Sequence, residues 1–232
     1  MSDKPLILIT GTRSGLGRSL AERFIKENFF VVGCSRNNSD LIDDHYVHIE
    51  ADIAQEKSVK NIFRLIRKEY GTIDCVINNA GIASMNHALL TSELEARKVF
   101  DTNFFGTFLV SREAVKSMRK VNSGRIINIS SIHTKFDIEG TSIYGSSKAA
   151  VEQFTKVLAK EIESSGITAN VLSLSVVENT GMSEAINPEI FNEILSKSSS
   201  NSVVSIDDIF MKIKYLLSED SQSVNGQIIQ LG

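Results

Sequence analysis

Tyr144 and Lys148 lie four residues apart in the segment 144–162, whose apolar residues recur with helical periodicity. This spacing places a phenol and an ammonium on one face of the predicted helix. A phenol is a good proton donor to an oxygen that gains negative charge. An ammonium about 4 Å away would stabilise the phenolate by roughly 4 kcal/mol and bring its pKa from about 10 to near 7. Alone, the pair is equally an ordinary surface pair one helical turn apart.

Two further polar residues precede this pair. Ser131 follows the apolar run 125–129 and is predicted to lie at the end of a strand. Its hydroxyl could donate a hydrogen bond to an oxygen that becomes charged. Taken singly, a serine at a strand end more often bonds to backbone, and Asn103 is typical of a turn or a helix end. Ser131, Tyr144 and Lys148 in this order therefore favour proton transfer at a carbonyl or an alcohol, which none of them indicates by itself.

A glycine-rich turn opens the chain. Gly11, Gly15 and Gly17 follow the apolar run 6–9 and precede a helical pattern. Glycine permits the tight turn, and the helix N-terminus offers free N–H groups to a pyrophosphate. The alternative is a strand-to-helix turn that needs glycine only for its backbone angles. The strand–turn–helix context favours dinucleotide binding.

Short apolar runs alternate with longer helical patterns along the whole chain. This alternation predicts an α/β protein with a doubly wound Rossmann fold, in which a seven-stranded, mostly parallel sheet is flanked by helices. One domain is predicted to span residues 1–232, with a substrate lid at about 177–202, where the sequence is polar, serine-rich and weakly periodic. The predicted strands are 6–9, 30–34, 46–49, 73–77, 125–129, 168–173 and 227–231.

The composition argues against several classes of partner. The 232 residues carry a net charge of −3, which gives no electrostatic basis for binding nucleic acid or a membrane surface. The four histidines show no metal-ligand spacing, so no metal site is predicted. Cys34 and Cys75 lie in apolar runs and are predicted to be buried free thiols, which suits a cytoplasmic location.

Together these motifs resemble the short-chain dehydrogenase/reductase family, in particular its members of the 3-oxoacyl-acyl-carrier-protein reductase type. The resemblance runs from Thr10 to Gly232. It rests on the Gly-x-x-x-Gly-x-Gly spacing, on the Asn-Asn-Ala-Gly sequence 78–81 and on the Ser–Tyr interval, which favours Ser131 over Ser130. It implies an enzyme that transfers a hydride between nicotinamide and a ketone, an oxoacyl thioester or a sugar-like carbonyl, or the corresponding alcohol.

The resemblance also assigns residue roles. Asn103, Ser131, Tyr144 and Lys148 match the family's catalytic tetrad, in which the asparagine holds a water that relays protons towards the lysine. Asp52 matches a residue that contacts adenine, although alone it is also a candidate cap for the following helix. The implied cofactor-binding residues are Gly11, Arg13, Ser14, Gly15, Leu16, Gly17, Ser35, Arg36, Asp52, Ile53, Asn79, Ala80, Gly81, Tyr144, Lys148 and Thr180.

The end of the second strand predicts NADP(H) over NAD(H). Members that prefer NAD usually carry an acidic residue there for the ribose 2′-hydroxyl, whereas this chain has Ser35 and Arg36. A guanidinium suits a 2′-phosphate through charge-assisted hydrogen bonds, and Arg13 offers a second cation. A solvated loop arginine is the alternative for Arg36.

A homodimer or homotetramer is also expected, because the family pairs two long helices across a two-fold axis. Here these helices are predicted at residues 103–118 and 144–162. Their apolar side chains exceed what one sheet face would cover. These side chains are Phe104, Phe105, Phe108, Leu109, Phe154 and Leu158.

The stretch after the sixth strand departs from the family. Most members carry Pro-Gly there, before a threonine that contacts the nicotinamide carboxamide; this chain keeps Thr180 but has no Pro-Gly. Because proline restricts φ and glycine frees it, a different backbone is predicted beneath the nicotinamide. Two hypotheses follow. The complete tetrad favours a working reductase, and the missing Pro-Gly favours a nucleotide-binding regulatory or scaffold protein with impaired catalysis.

Overall fold

The computed structural model describes residues 4–184, 187–198 and 201–232. Its strands begin and end within two residues of the runs predicted from the sequence. They are β1 (Leu6–Thr10), β2 (Phe30–Ser35), β3 (Tyr46–Glu50), β4 (Cys75–Asn78), β5 (Gly124–Ser131), β6 (Ile167–Leu174) and β7 (Ile228–Leu231).

The strands form one sheet in the order β3-β2-β1-β4-β5-β6-β7, and every pairing is parallel. After β1 the chain builds the sheet outward to one side, and from β4 it builds to the other side. All carboxyl ends therefore share one edge, with a crevice expected between β1 and β4, where the direction reverses. The predicted doubly wound Rossmann fold is confirmed.

Helices cover both faces of the sheet. Two of them, α1 and α8, pack on one face, and α2, α4 and α5 pack on the other. The helices are α1 (Gly15–Lys26), α2 (Glu56–Glu69), α3 (Glu93–Phe100), α4 (Thr107–Met118), α5 (Ser142–Glu161), α6 (Gly181–Glu184), α7 (Pro188–Lys197) and α8 (Ile206–Leu217).

The helix predicted from residue 103 is the second half of a longer helical run. In the structure, α3 continues through a π-helical turn (Asp101–Gly106) into α4. A π-turn inserts one residue into a helix and changes the phase of the faces on its two sides. Two of the six apolar side chains that were taken to exceed what one sheet face would cover, Leu109 and Leu158, pack in the core and do not contribute to that excess.

The segment 177–202 contains two helices, α6 and α7, while residues 185–186 and 199–200 lie outside the described residues. Asn187 caps α7 by accepting a hydrogen bond from the backbone N–H of Glu189 (2.8 Å), and Pro188 takes the first helical position. Ile194 is buried in a small apolar cluster with part of the loop after β5. Part of this weakly periodic segment is therefore a regular helix, which the sequence pattern did not predict.

The described ranges contain no cluster of three or more His, Cys, Asp or Glu side chains arranged to hold a metal ion. None of their helices has the length and apolarity needed to cross a membrane. Both cysteines are buried free thiols, as predicted. Burial raises the pKa of Cys34 to about 12, so this thiol is protonated at neutral pH.

Candidate active site

A cavity of about 470 Å³ lies at the carboxyl ends of the strands, where the strand order reverses. The glycine-rich turn lines one part of it, and Ser131, Tyr144 and Lys148 line another. The structure thus brings together residues that are up to 137 positions apart in sequence, from Gly11 to Lys148. Of the site residues predicted from the sequence, all line this cavity except Gly17 and Asn103.

The glycine-rich turn needs its glycines for close packing. Gly11 has a φ of +77°, and a Cβ on it would lie 2.9 Å from Cα of Ala80. A Cβ on Gly17 would overlap the carbonyl oxygen of Gly11. Any side chain at these two positions would push the turn away from β4. Gly17 therefore allows the turn to pack closely, and it does not line the cavity itself.

The first turn of α1 fits an anionic phosphate. The N-cap residue, Ser14, makes no side-chain capping bond within the described chain, and the first turn carries no acidic residue. The first N–H groups of a helix have no intrahelical partner, and together they carry a partial positive charge. Ser14, Gly15 and Leu16 line the cavity, so this helix end offers its free N–H groups to a phosphate there.

Thr10 and Asn79 hold the glycine-rich turn against the end of β4. The Thr10 hydroxyl accepts hydrogen bonds from the backbone N–H groups of Asn79 and Ala80, both at 3.0 Å. The Asn79 side-chain amide donates to the carbonyl oxygen of Thr10 (2.9 Å). Next along the chain, a Cβ on Gly81 would lie 3.4 Å from Nζ of Lys148. The family's Asn-Asn-Ala-Gly sequence is thus used here to join the two halves of the cavity.

Asp52 and Ile53 line the cavity beyond the end of β3. Oδ1 of Asp52 accepts a hydrogen bond from the backbone N–H of Ala54 (3.0 Å), which closes a local turn. Helix α2 begins only at Glu56, with Gln55 as its N-cap. The alternative that Asp52 caps this helix is therefore wrong.

Arg13 and Arg36 are exposed cations on the cavity wall. Neither forms an ion pair or a side-chain hydrogen bond with another residue in the described part of the chain. The Ser35 hydroxyl instead donates to the carbonyl oxygen of Asn37 (2.6 Å) and lies 3.0 Å from Nε2 of His48. A fully ionised phosphate oxygen only accepts hydrogen bonds, so the Ser35 side chain is not its donor in this arrangement.

Lys148 is buried in the wall of the cavity. Its ammonium donates a hydrogen bond to the carbonyl oxygen of Ile129 (2.9 Å) and lies 5.9 Å from the ring centroid of Tyr144. Burial lowers the pKa of Lys148 to about 8, and the charge of Glu152 acts in the opposite direction. The side chain is still mostly protonated at neutral pH and is poised to lose its proton just above it.

The phenol of Tyr144 is buried as well. Burial raises its pKa, because the charged phenolate loses solvation, and a hydrogen bond with Ser131 lowers it. The Tyr144–Lys148 spacing predicted a pKa close to neutrality. For the chain by itself that prediction is wrong, because burial outweighs the hydrogen bond with Ser131. At neutral pH Tyr144 is therefore a protonated donor.

Asn103 lies behind the cavity wall and is fully buried. Its amide oxygen accepts a hydrogen bond from the backbone N–H of Ile82 (2.9 Å). Its amide nitrogen donates to the carbonyl oxygen of Ile82 and to the hydroxyl of Ser147, both at 3.0 Å. Asn103 thereby joins the π-turn, the loop after β4 and α5, which together position Tyr144 and Lys148.

Several lining residues were missed by the sequence reasoning. The position of His133 gave a usable signal, because it lies two residues after Ser131, just past the end of a strand. The apolar lining residues that were missed include Ile82, Met85 and Val176. Val177 and Ile194 also line the cavity, and both lie in the segment 177–202 that was predicted as a substrate lid.

The sequence profile of the short chain dehydrogenase family matches residues 5–190. The chain belongs to the short-chain dehydrogenase family. It is accordingly a nicotinamide-dependent oxidoreductase that acts on carbonyl or alcohol groups.

Relatives and solved structures resemble this short-chain dehydrogenase over nearly its whole length. The 3-oxoacyl-acyl-carrier-protein reductase FabG of Haemophilus influenzae is 29% identical, over 97% of this chain and 96% of the relative. ElxO with NADP bound is 29% identical, with a TM-score of 0.88 over 98% of this chain and 96% of that one. A 4-hydroxyisoleucine dehydrogenase complexed with NADH is 26% identical, with a TM-score of 0.87 and the same coverage.

Proposed function

We propose that this short-chain dehydrogenase is an NADP(H)-dependent reductase of an apolar ketone or an oxoacyl thioester. The main support for this proposal is that Ser131, Tyr144 and Lys148 line the same cavity as a glycine-rich turn that fits a phosphate. The apolar residues Ile82 and Val176 on this wall favour such carbonyls over sugar-like ones. The similarity to a 3-oxoacyl-acyl-carrier-protein reductase supports the same class of substrate.

The chain's own residues supply the proton and stabilise the developing charge. When bound, NADPH supplies the hydride. Tyr144, protonated at neutral pH, gives its proton to the substrate oxygen as that oxygen becomes negative. Ser131 donates a hydrogen bond to the same oxygen. The charge of Lys148 favours the resulting phenolate, which regains a proton before the next turnover.

The residues present fit the dinucleotide. The glycine-rich turn and the free N–H groups of α1 would hold its pyrophosphate, and Asp52 and Ile53 would contact its adenine. Lys148 would bond to the nicotinamide ribose, and Thr180 to the carboxamide. The unpaired, exposed Arg36 and Arg13 favour a 2′-phosphate, which supports NADP(H) over NAD(H).

In this chain, backbone hydrogen bonds hold the segment that lacks the Pro-Gly. The N–H of Ser175 donates to the carbonyl oxygen of Leu231 (3.0 Å), and that of Val204 donates to Val176 (2.7 Å). Thr180 is buried beyond them. These bonds support a rigid backbone beneath the nicotinamide carbon that would give the hydride. A rigid backbone there favours the hypothesis of a working reductase over that of a binding protein with impaired catalysis.

A screen of carbonyl compounds tests the proposal. Ethyl acetoacetate, acetoacetyl-CoA, cyclohexanone and fructose would each be added to protein with NADPH, and loss of the NADPH absorbance would be followed. We expect turnover of the first three classes and little of the sugar. Tight NADPH binding without turnover of any carbonyl would favour the binding-protein alternative.

Arg36→Asp is expected to lower NADPH affinity roughly tenfold or more and to move preference towards NADH. A charged hydrogen bond contributes about 1.5–3 kcal/mol, and the new carboxylate repels the 2′-phosphate. Dissociation constants for both cofactors, measured by fluorescence titration, check this. Arg67→Asp, the same charge change on the exposed surface of α2, is the control. Equal affinities of the parent protein for the two cofactors would contradict the premise.

We also propose a homodimer or homotetramer formed through α4 and α5. The rings of Phe104 and Phe108 pack edge-on against Phe154, at 6.2 and 5.8 Å between centroids. Next to them, Phe105 and Val157 remain 47% and 44% exposed. An apolar surface of this kind is typical of an interface between copies.

Light scattering at micromolar concentration is expected to give at least twice the chain mass of 25.6 kDa. Phe105→Glu should shift the protein towards the single-chain mass, because it places a charge in the centre of the apolar surface. Ile42→Glu, at an exposed apolar residue elsewhere, should leave the mass unchanged. A parent protein with only the 25.6 kDa species would refute the assembly.

The buried, reduced state of Cys34 and Cys75 supports the further proposal of a cytoplasmic location. Structural disulfides are favoured in oxidising compartments, whereas free thiols persist where glutathione keeps them reduced. Fractionation of cells that express the tagged protein would locate it.

A further inference from the structure

His133 contacts both the serine and the tyrosine of the candidate site. It lies in the short turn directly after β5 and lines the cavity. Its Nδ1 is 2.7 Å from Oγ of Ser131. Its ring packs edge-on against the Tyr144 ring, with 5.4 Å between centroids. The other ring nitrogen, Nε2, is buried and has no hydrogen-bond partner among the described residues.

The imidazole is neutral at neutral pH, because burial lowers the pKa of His133 to about 4. A neutral imidazole carries one hydrogen, so one ring nitrogen donates and the other accepts. If Nε2 carried it, a buried N–H donor would stay unpaired, which is rare in native structures. If Nδ1 carries it, the donor is used on Ser131 and only a bare lone pair is left at Nε2.

The hydrogen bond that Ser131 donates supports the same tautomer. The hydroxyl of Ser131 donates to the carbonyl oxygen of Leu174 (3.5 Å). The hydroxyl has only one hydrogen. In the contact with His133, Oγ of Ser131 must therefore accept from Nδ1.

We propose that His133 is a positioning residue whose Nδ1–H donates to Oγ of Ser131 and thereby keeps the serine hydroxyl hydrogen available to the reacting oxygen. If Nδ1 were bare, the imidazole would instead accept the serine hydrogen. The long bond from Ser131 to the carbonyl oxygen of Leu174 (3.5 Å) is the contact that the substrate oxygen would replace. The inference rests on the proposed role of Ser131 as a hydrogen-bond donor to the substrate.

The tautomer is tested on the protein alone. In a two-bond ¹H–¹⁵N correlation spectrum of protein labelled with ¹⁵N-histidine, the protonated and the bare ring nitrogen have distinct shifts. The His133 signal is the one lost in His133→Phe or, if that variant does not fold, in His133→Asn. We expect Nδ1 to be protonated at pH 7. A hydrogen on Nε2 overturns the proposal, whether or not any carbonyl is reduced.

Kinetics separate positioning from packing. His133→Phe keeps the ring against Tyr144 but removes Nδ1, whereas His133→Asn keeps a donor near that position. With ethyl acetoacetate, or the fastest carbonyl of the screen, we expect kcat to fall about tenfold in the Phe variant, with KM for NADPH unchanged. The Asn variant should recover most of this loss. His45→Phe, at the opposite edge of the sheet, is the control.

Two kinetic outcomes overturn the inference. One is a Phe variant with wild-type kcat, and the other is an Asn variant as slow as the Phe variant. A parent protein that reduces no carbonyl overturns the proposed function instead, and the tautomer measurement then decides the inference about His133.

Discussion

Replacing Tyr144 by phenylalanine is expected to lower the rate of carbonyl reduction by roughly 10²–10⁴-fold while NADPH binding stays nearly unchanged. The substitution removes one hydroxyl from a buried ring and leaves the arginines and the glycine-rich turn intact. The phenol is the assigned proton donor, since burial keeps it protonated at neutral pH.

The measurement is a single-turnover rate with saturating carbonyl, in which the chemical step is observed directly. Tyr215→Phe, which removes a hydroxyl from an exposed tyrosine on α8, is the matched control. A Tyr144→Phe rate above half that of the parent would remove Tyr144 from the proposed mechanism.

Lys148→Met is expected to lower the reduction rate by roughly 10²-fold or more and yet to make the folded protein more stable. The pKa of Lys148 is about 8 in the folded chain, against an ordinary value of 10.5. Below pH 8 the lysine is protonated in both states, and burying the charge costs on the order of 3 kcal/mol. The variant also loses the hydrogen bond to Ile129, which costs about 1 kcal/mol. We therefore expect the free energy of unfolding to rise by about 2 kcal/mol at pH 7.

The pH dependence gives this prediction a definite sign. Between about pH 8 and 10.5 the unfolded lysine binds more protons than the folded one, so parent stability gains from this group as pH rises. The advantage of Lys148→Met should therefore shrink over that window. Thermal unfolding at pH 7 and pH 10 checks it, with a shift of roughly 4–8 °C expected at pH 7. Lys160→Met, at an exposed position on α5, is the control; a Lys148→Met protein less stable than the parent at pH 7 contradicts the argument.

The fold was predictable because its signals are local. Strands buried on both faces must be nearly continuous in apolar residues, and the turn at Gly11–Gly17 admits few residue types. Helix α7 was missed although Asn187 and Pro188 start it in the usual way, because serine-rich sequence surrounds it. The π-turn has no comparable signature. It changes the phase of the helical face, so the sequence alone did not show that Leu109 packs in the core.

Electrostatics at the candidate site depended on burial, which a linear sequence does not show. The four-residue spacing of Tyr144 and Lys148 correctly placed them on one cavity wall. It did not show that both would be desolvated, so that the pKa of the phenol rises and that of the ammonium falls. The contact of His133 with both Ser131 and Tyr144 likewise exists only after β5 and α5 have packed together.

The strand order also determines which parts of the sheet can form first while the chain is being synthesised on the ribosome. Ile7 pairs with Cys75, so the crevice between β1 and β4 can form only after β4 has been synthesised. Leu174 pairs with Leu231, and the backbone N–H of Ser175 bonds to the same residue. Closing such long loops slows folding. A nascent chain can therefore pack its glycine-rich turn against Asn79 and Ala80 at an early stage, whereas Ser175 gains its bond to Leu231 only after β7 has been synthesised.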